Sequence, residues 1–418
     1  MPYLQAFDPV ESTSKPAHWD ECPHRKKTRA GVPPEQPLLP HQEFLEGPFP
    51  HTHVPEYRFF SNLNAAQIQA VRQRGTQILA IIPHGGGQGL LKRAKVVASA
   101  IESFLRSLAF ESNGRKAFNV KVYEPEVKKM DPNNPFGKPH AFFVDLGPNA
   151  DALRKFLLWQ EVFAVNPSLS FSVLPVDTRE ASWKVCVITG DDIEPNATHA
   201  YLVQQRTLLL TELKKRIHDD FKLLWKTAQL VLNSWNVHGT YSELATMFTD
   251  TFMLELTTAD PRSGAPPAPA FILYAKPLTY DKREAVKWRA DFLRVHPRTG
   301  AQPLRLGLDI FPVDKGSVDC KVCKADVHRT ADCPLANTPG WIGVTPELIG
   351  KDDKETAGRE AAKEPGAQNP VDAAQDIFRT VVKRKKRTSE PNPSGVTKRG
   401  GRTGRGGRGS GGFGAWAK

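Results

Sequence analysis

The sequence predicts an α+β protein: a mixed α/β body over residues 58–316, then a small zinc knuckle, with a disordered N-terminal arm and a disordered C-terminal tail. Three observations carry this expectation. Between Tyr57 and about residue 316, segments with strand periodicity alternate with amphipathic helical segments. Three of the chain's five cysteines crowd into residues 320–333 together with a histidine. Stretches that no core absorbs, rich in proline, glycine and charge, are concentrated at the two ends.

Residues 1–57 are rich in Pro, His and charge, as in "PHRKKTRAGVPPEQPLLPHQEF", and show no sustained period. They predict a disordered arm. From Tyr57 the texture changes. "TQILAIIP" (76–83) predicts a strand, "GLLKRAKVVASAIESFLRSL" (89–108) an amphipathic helix and "FNVKVYEPE" (118–126) a second strand. "HAFFVDLG" (140–147), "NADALRKFLLWQEVF" (149–163), "LSFSVLPV" (169–176) and "WKVCVITG" (183–190) read strand, helix, strand, strand. That run makes RRM- or ferredoxin-like units the candidate topology over 140–190. "FFVDLG" partly resembles the first RNP motif, whereas "WKVCVITG" lacks the aromatics of the second.

Residues 199–232 predict one long helix with Leu210, Leu213, Ile217, Phe221 and Leu224 on its apolar face. Without sustained heptads it reads as a core-packing helix rather than a coiled coil. "AFILYAKP" (270–277), "DKREAVKWRADFLRVH" (281–296) and "LRLGLDIFP" (304–312) give a further strand–helix–strand unit. Residues 338–382 read as a polar linker with a docking turn at Trp341-Ile342 and a short helix over 371–382.

The knuckle, taken as residues 317–337, has the spacing Cys320-x2-Cys323-x4-His328-x4-Cys333. Three thiolates and one imidazole complete the tetrahedron that a single Zn²⁺ prefers, and no position is left open for water or substrate. The expected role is therefore structural. Fourteen residues bury too little for a core, so metal binding would supply most of their folding free energy, on the order of 10 kcal/mol.

The tail, residues 383–418, is the electrostatic centre of the sequence. From Val381 to Lys418 there are eleven basic residues and one acidic, a net +10 of the chain's +12, which leaves +2 for the first 380 residues. Lys383, Arg384, Lys385, Lys386 and Arg387 form a run suited to nuclear import or phosphate contact. Arg399, Arg402, Arg405 and Arg408 recur every third residue among glycines. Guanidinium groups on so flexible a chain favour single-stranded RNA or DNA, with little sequence preference and strong salt dependence. Lys321, Lys324 and Arg329 are the candidate contacts on the knuckle. A nuclear location is expected, with the cytoplasm as the alternative. The alternative function is an adaptor whose knuckle binds a protein.

Other classes find less support. "IIPHGGGQG" (81–89) resembles the oxyanion loop of some hydrolases, but no serine of the chain stands in the Gly-x-Ser-x-Gly pattern that such chemistry needs. "GDD" (190–192) is not followed by a returning strand, and no HExxH pattern appears. No enzyme, small-molecule substrate or membrane span is expected, and two scattered further cysteines suit a reducing compartment.

Taken together, "KPHAFFVDLGPNADALRKFLLWQEVF", "AFILYAKP", the knuckle ending "DCPL", "GWIGVTPELI" and the Arg/Gly tail resemble a group of retrotransposon-related proteins of mushroom-forming fungi, the Gag-like or first-reading-frame class. The resemblance implies RNA or single-stranded DNA binding by knuckle and tail, with the α/β body as a platform for self-association. Only Cys320, Cys323, His328 and Cys333 carry over residue by residue. The glycines such knuckles usually hold after the second cysteine and before the histidine are Lys324 and Val327 in this chain.

Overall fold

Strand periodicity becomes two larger antiparallel sheets packed with helices, and a small two-stranded ribbon. The computed structural model describes residues 20–349 except 56–57, 59, 61, 86–87, 128–139, 177–180, 191–192, 194–197, 262–265, 296–299, 307–308 and 315. All of these belong to the first of the two units into which the chain divides, Met1–Ala374 and Gln375–Lys418. The helix expected at 371–382, the basic run 383–387 and Arg399 to Arg408 lie outside the described residues, as do Asp191 and Asp192.

Helix α1 (Ala65–Arg74) is capped by the Asn64 side chain, which accepts from the Ala66 amide. The first sheet follows, built from β1 (Ile78–Pro83), β2 (Lys121–Tyr123), β3 (Phe142–Asp145), β4 (Val162–Asn166) and β5 (Leu169–Pro175) in the order β2-β3-β1-β5-β4. Helix α2 (Ala94–Ser107) joins β1 to β2, and α3 (Asp151–Gln160) joins β3 to β4. Successive strand residues face opposite sides. Leu79, Ile81, Phe142, Val144, Phe171 and Val173 therefore pack on the two helices through Ile101, Phe104 and Phe156. The other face presents Ile78, Ala80, Ile82, Phe143 and Leu174, and Val54, Leu63 and the α1 residues Ile68 and Val71 cover it.

The second sheet contains β6 (Lys184–Thr189), β7 (Met253–Pro261), β8 (Ala268–Tyr274) and the two-residue β11 (Gly316–Ser317), ordered β11-β7-β8-β6. Helices α4 (His199–His218), α5 (Phe221–Trp235) and α6 (Tyr241–Thr249) lie between β6 and β7, and α7 (Lys282–Phe292) follows β8. A small ribbon, β9 (Leu304–Leu306) with β10 (Asp309–Phe311), leads to residues 312–314, which bond along the remaining edge of β6. The first sheet runs strand–helix–strand–strand–helix–strand–strand, and the second runs strand–helices–strand–strand–helix before residues 312–314 return along β6; in each, the first and third strands are neighbours.

Several expectations change. The unit foreseen over 140–190 begins instead at β1, and "WKVCVITG" opens the second sheet. The helix foreseen over 149–163 stops at Gln160, because Glu161 takes φ 58° and turns the chain into β4. The helix foreseen over 199–232 is two helices. Asp220 caps α5 by accepting from the amides of Lys222 (3.1 Å) and Leu223 (3.2 Å). That break shifts the helical phase, so Phe221 is 73% exposed while Leu213 and Ile217 stay in the core.

The arm expected to be disordered over 1–57 is part of the folded unit from Asp20 on. Its residues 26–28 pair with 49–51: the Thr28 amide donates to the Phe49 carbonyl (2.8 Å) and the His51 amide to the Lys26 carbonyl (2.9 Å). Cys22, Phe49 and Val54 are buried. Pro- and His-rich composition suggested disorder because it lacks a period, but a few well-placed apolar side chains hold the arm down. Among the described residues no helix is long and apolar enough to cross a membrane.

Candidate metal centre

The four sulfur and nitrogen donors of Cys320, Cys323, His328 and Cys333 lie within 4.8 Å of one another. A tetrahedral zinc with Zn–S bonds of about 2.3 Å needs ligand atoms roughly 3.8 Å apart, so the donor set fits the ion in chemistry and in size. The backbone shapes this cage. The Cys320 amide donates to the Ala325 carbonyl (2.9 Å) and the Lys324 amide to the Cys320 carbonyl (3.1 Å), a tight turn that aims both sulfurs inward. The Cys323 amide reaches the Cys320 sulfur at 3.4 Å, and Cys323 Sγ lies 3.3 Å from His328 Nε2. The Thr330 hydroxyl accepts from the Lys321 amide (2.9 Å) and ties the return limb to the turn.

Hydrogen bonding couples the titrations of Cys320, Cys323 and His328. Hydrogen bonds from Cys323 and Cys333 pull the Cys320 thiol far below its ordinary range, although burial opposes this. Burial works against a charged His328, but its bonds to Cys320 and Cys333 hold the imidazole proton up to about 10. Loading a divalent ion on such a group releases protons, because the ligands must be thiolates and a neutral imidazole.

The structure places the cysteine centre inside the body rather than beside it. Val322, Cys320, Cys323, Ala325 and Cys333 form one apolar cluster with Phe49 of the arm and Val162 of β4. Val327 reaches this cluster and also the one made by Cys22, Trp183, Val187, Ile272 and Tyr274 on the open face of the second sheet. Polar ties run the same way. The Gly85 amide at the end of β1 donates to the Val322 carbonyl (2.9 Å). Lys184 of β6 donates to the Asp326 carbonyl. Arg58 donates to the carbonyls of Lys324 (2.7 Å) and Ala325 (3.1 Å) and pairs with Asp319.

The sequence-predicted contact residues separate into three situations. Lys321 is exposed. Lys324 is only 3% exposed, takes the left-handed φ of 67°, and its ammonium donates to the Lys321 carbonyl. Burial brings its pKa down to about 8 against the pull of Cys320 and Cys323. This lysine occupies the conformation that a glycine adopts most readily, at a cost of roughly 1 kcal/mol. Arg329 is committed to Asp332 (2.8 Å) and Asp260 (3.1 Å). Val322, between Lys321 and Cys323, is fully buried.

The docking turn expected at Trp341-Ile342 is present. Trp341 packs edge-on against Phe49 and over His84, and its indole donates to the Val344 carbonyl (3.0 Å). The Val344 amide donates to the Ser170 hydroxyl (3.0 Å). His84 is buried between the hydroxyls of Ser170 (3.1 Å) and Ser172 (2.9 Å), and burial drives its pKa down to about 3, so it stays neutral. Sequence reasoning did not foresee Arg58, Lys184 or Gly85 as supports of the centre. Only the glycine carried a usable signal, since a residue directly after a buried strand with no Cβ invites close approach. Comparison with family models, with curated proteins and with solved structures gives no match, so the residues themselves carry the functional argument.

Proposed function

We propose that the chain is a zinc-dependent protein that binds single-stranded nucleic acid, RNA above all, and descends from a Gag-like protein of a mobile element. The observation that carries this reading is the tail: +10 of the formal charge within its last 38 residues, with arginine at every third position from 399 to 408. In this reading the tail collects phosphates and the body presents it, while the metal centre keeps the body folded. The basic run 383–387 supports entry into the nucleus.

Two features favour that division of labour. Lys324 is buried and Arg329 is committed to Asp332 and Asp260, so of the three candidate contacts on the knuckle Lys321 alone is exposed, and the apolar face of the knuckle is turned inward through Val322. The neighbouring first and third strands of each sheet resemble the arrangement in RRM domains, which read RNA on an open sheet face. Here Phe143 and Tyr274 on those faces are already packed within the chain. An adaptor acting through the knuckle would need the same apolar face, so the burial of Val322 weighs against that alternative too.

The test is a titration of fluorescent single-stranded RNA at 50 and 200 mM salt, with the full chain and with a chain ending at residue 382. Each phosphate neutralised adds about 0.7 to the slope of log affinity against log salt. The full chain should show a slope of at least about 3, expected from the four spaced arginines, and truncation should weaken binding at low salt by at least about tenfold. Equal affinity of the two chains, or no binding by the full one, would overturn the reading.

A further inference from the structure

The arm brings three imidazoles to the flank of the cysteine centre. Its hairpin-like pairing sets Lys26 across from His51 and Thr28 across from Phe49. The same register continued by two residues sets His24 across from His53, and their rings stand 4.6 Å apart, edge to face. His51, two positions from His53, lies with its ring 6.5 Å away. All three line a cavity of about 50 Å³ that also touches Cys323 and His328 but neither Cys320 nor Cys333. The cavity is large enough for an ion or a water, and its walls are rich in nitrogen donors.

Two further observations point to a ligand. His24 Nδ1 is shielded from solvent and has no hydrogen-bond partner, while its Nε2 lies 3.3 Å from the Ser182 hydroxyl. A buried nitrogen left in this way costs free energy unless something fills the coordination. His51 Nδ1 lies 2.6 Å from Glu161 Oε2, and the other oxygen of that carboxylate accepts from the Thr52 amide at 2.8 Å. A carboxylate on one ring nitrogen fixes the tautomer and leaves Nε2 as the nitrogen such pairs present to a metal. Glu161 is held there at φ 58°, a conformation that a non-glycine residue adopts only when its surroundings require it.

We propose that His24, His51 and His53 form a second metal site for a borderline first-row cation such as Zn²⁺, Co²⁺ or Ni²⁺, next to the cysteine centre and distinct from it. Imidazole suits these ions, and Glu161 serves as the positioning residue behind His51. To share one ion the three imidazoles would have to reorient about their own side-chain bonds, since the His51 and His53 rings stand 6.5 Å apart. The cysteine donors, by contrast, are already gathered.

The test uses the full chain, stripped of metal and titrated with Co²⁺. Thiolate coordination gives an intense near-ultraviolet charge-transfer band, and imidazole coordination gives only weaker visible absorption. The charge-transfer band should saturate at one equivalent, while visible absorption and bound metal should rise to two. In the double variant His24→Gln/His53→Gln, bound metal should stop at one equivalent with the charge-transfer band intact. Should that variant fail to fold, the parent chain still decides the matter. One equivalent in the parent chain, with a full thiolate band, would overturn the second site. One equivalent without the band would support an imidazole site and refute the cysteine centre instead, so the two readings fail in different ways.

Discussion

Replacing Cys333 by Ser, or stripping the metal with a chelator, should unfold far more than the fourteen-residue loop. Metal binding to a site of this class is worth on the order of 10 kcal/mol, comparable with the whole stability of an ordinary domain. The loss would reach both sheets. Val322, Val327 and Leu335 fill the interface between the arm, β4 and the second sheet, and the Gly85 and Lys184 bonds end on the same loop. Circular dichroism melts should therefore show the Cys333→Ser chain losing its cooperative transition, or melting more than about 10 °C lower, together with new binding of a hydrophobic dye. A Cys186→Ala control, in the core of the second sheet and remote from the donors, should keep the metal and a cooperative melt. A Cys333→Ser melt that coincides with that of the parent would show that the loop is an ornament on the body.

The second large effect is expected at Gly85. Its φ is +67°, and a Cβ built there would lie 2.4 Å from Val344 Cγ1, with Ile349 at 3.4 Å. Its amide must also reach the Val322 carbonyl at 2.9 Å. Gly85→Val asks a β-branched residue to adopt the left-handed conformation, at roughly 1–2 kcal/mol, and to displace a packed side chain, at roughly 1–3 kcal/mol. Chemical denaturation should show a combined loss of about 2–5 kcal/mol. Gly114, also at positive φ (+62°), has nothing within 4 Å of the corresponding Cβ. Gly114→Ala should therefore show the conformational share alone, about 1 kcal/mol. Equal losses at the two positions would mean that contact with Val344 contributes nothing.

What the sequence revealed and what it hid divide along physical lines. The four metal ligands were legible because ligand chemistry is local: two sulfurs three residues apart reach one ion in almost any fold. α2 was legible from its amphipathic period, and β1, β3 and β8 from unbroken apolar runs of strand length. Helix α1 was missed because "AAQIQAVRQR" offers only Ile68 and Val71 to a core and reads as polar. Helix α6 was missed although its capping box was visible, with Thr240 and Glu243 bonding reciprocally at the start. The Glu161 turn left no local sign, since an acidic residue in the left-handed region is held there by contacts to His51, Thr52 and Val173. Least legible was the burial of the knuckle. Lys324, a charged residue on a short loop, is normally solvated, and only its tertiary neighbours show that it is enclosed.

The closure of both sheets by one late segment sets an order on synthesis. Val162 of β4, which packs on the loop, leaves the ribosome about 158 residues before Cys320 does. At about 5–20 residues per second, that side chain waits on the order of ten to thirty seconds for its cover. Over this interval the apolar side chains that meet the loop, Val162 of β4 and Trp183 and Tyr274 of the second sheet's face among them, stand bare on the nascent chain.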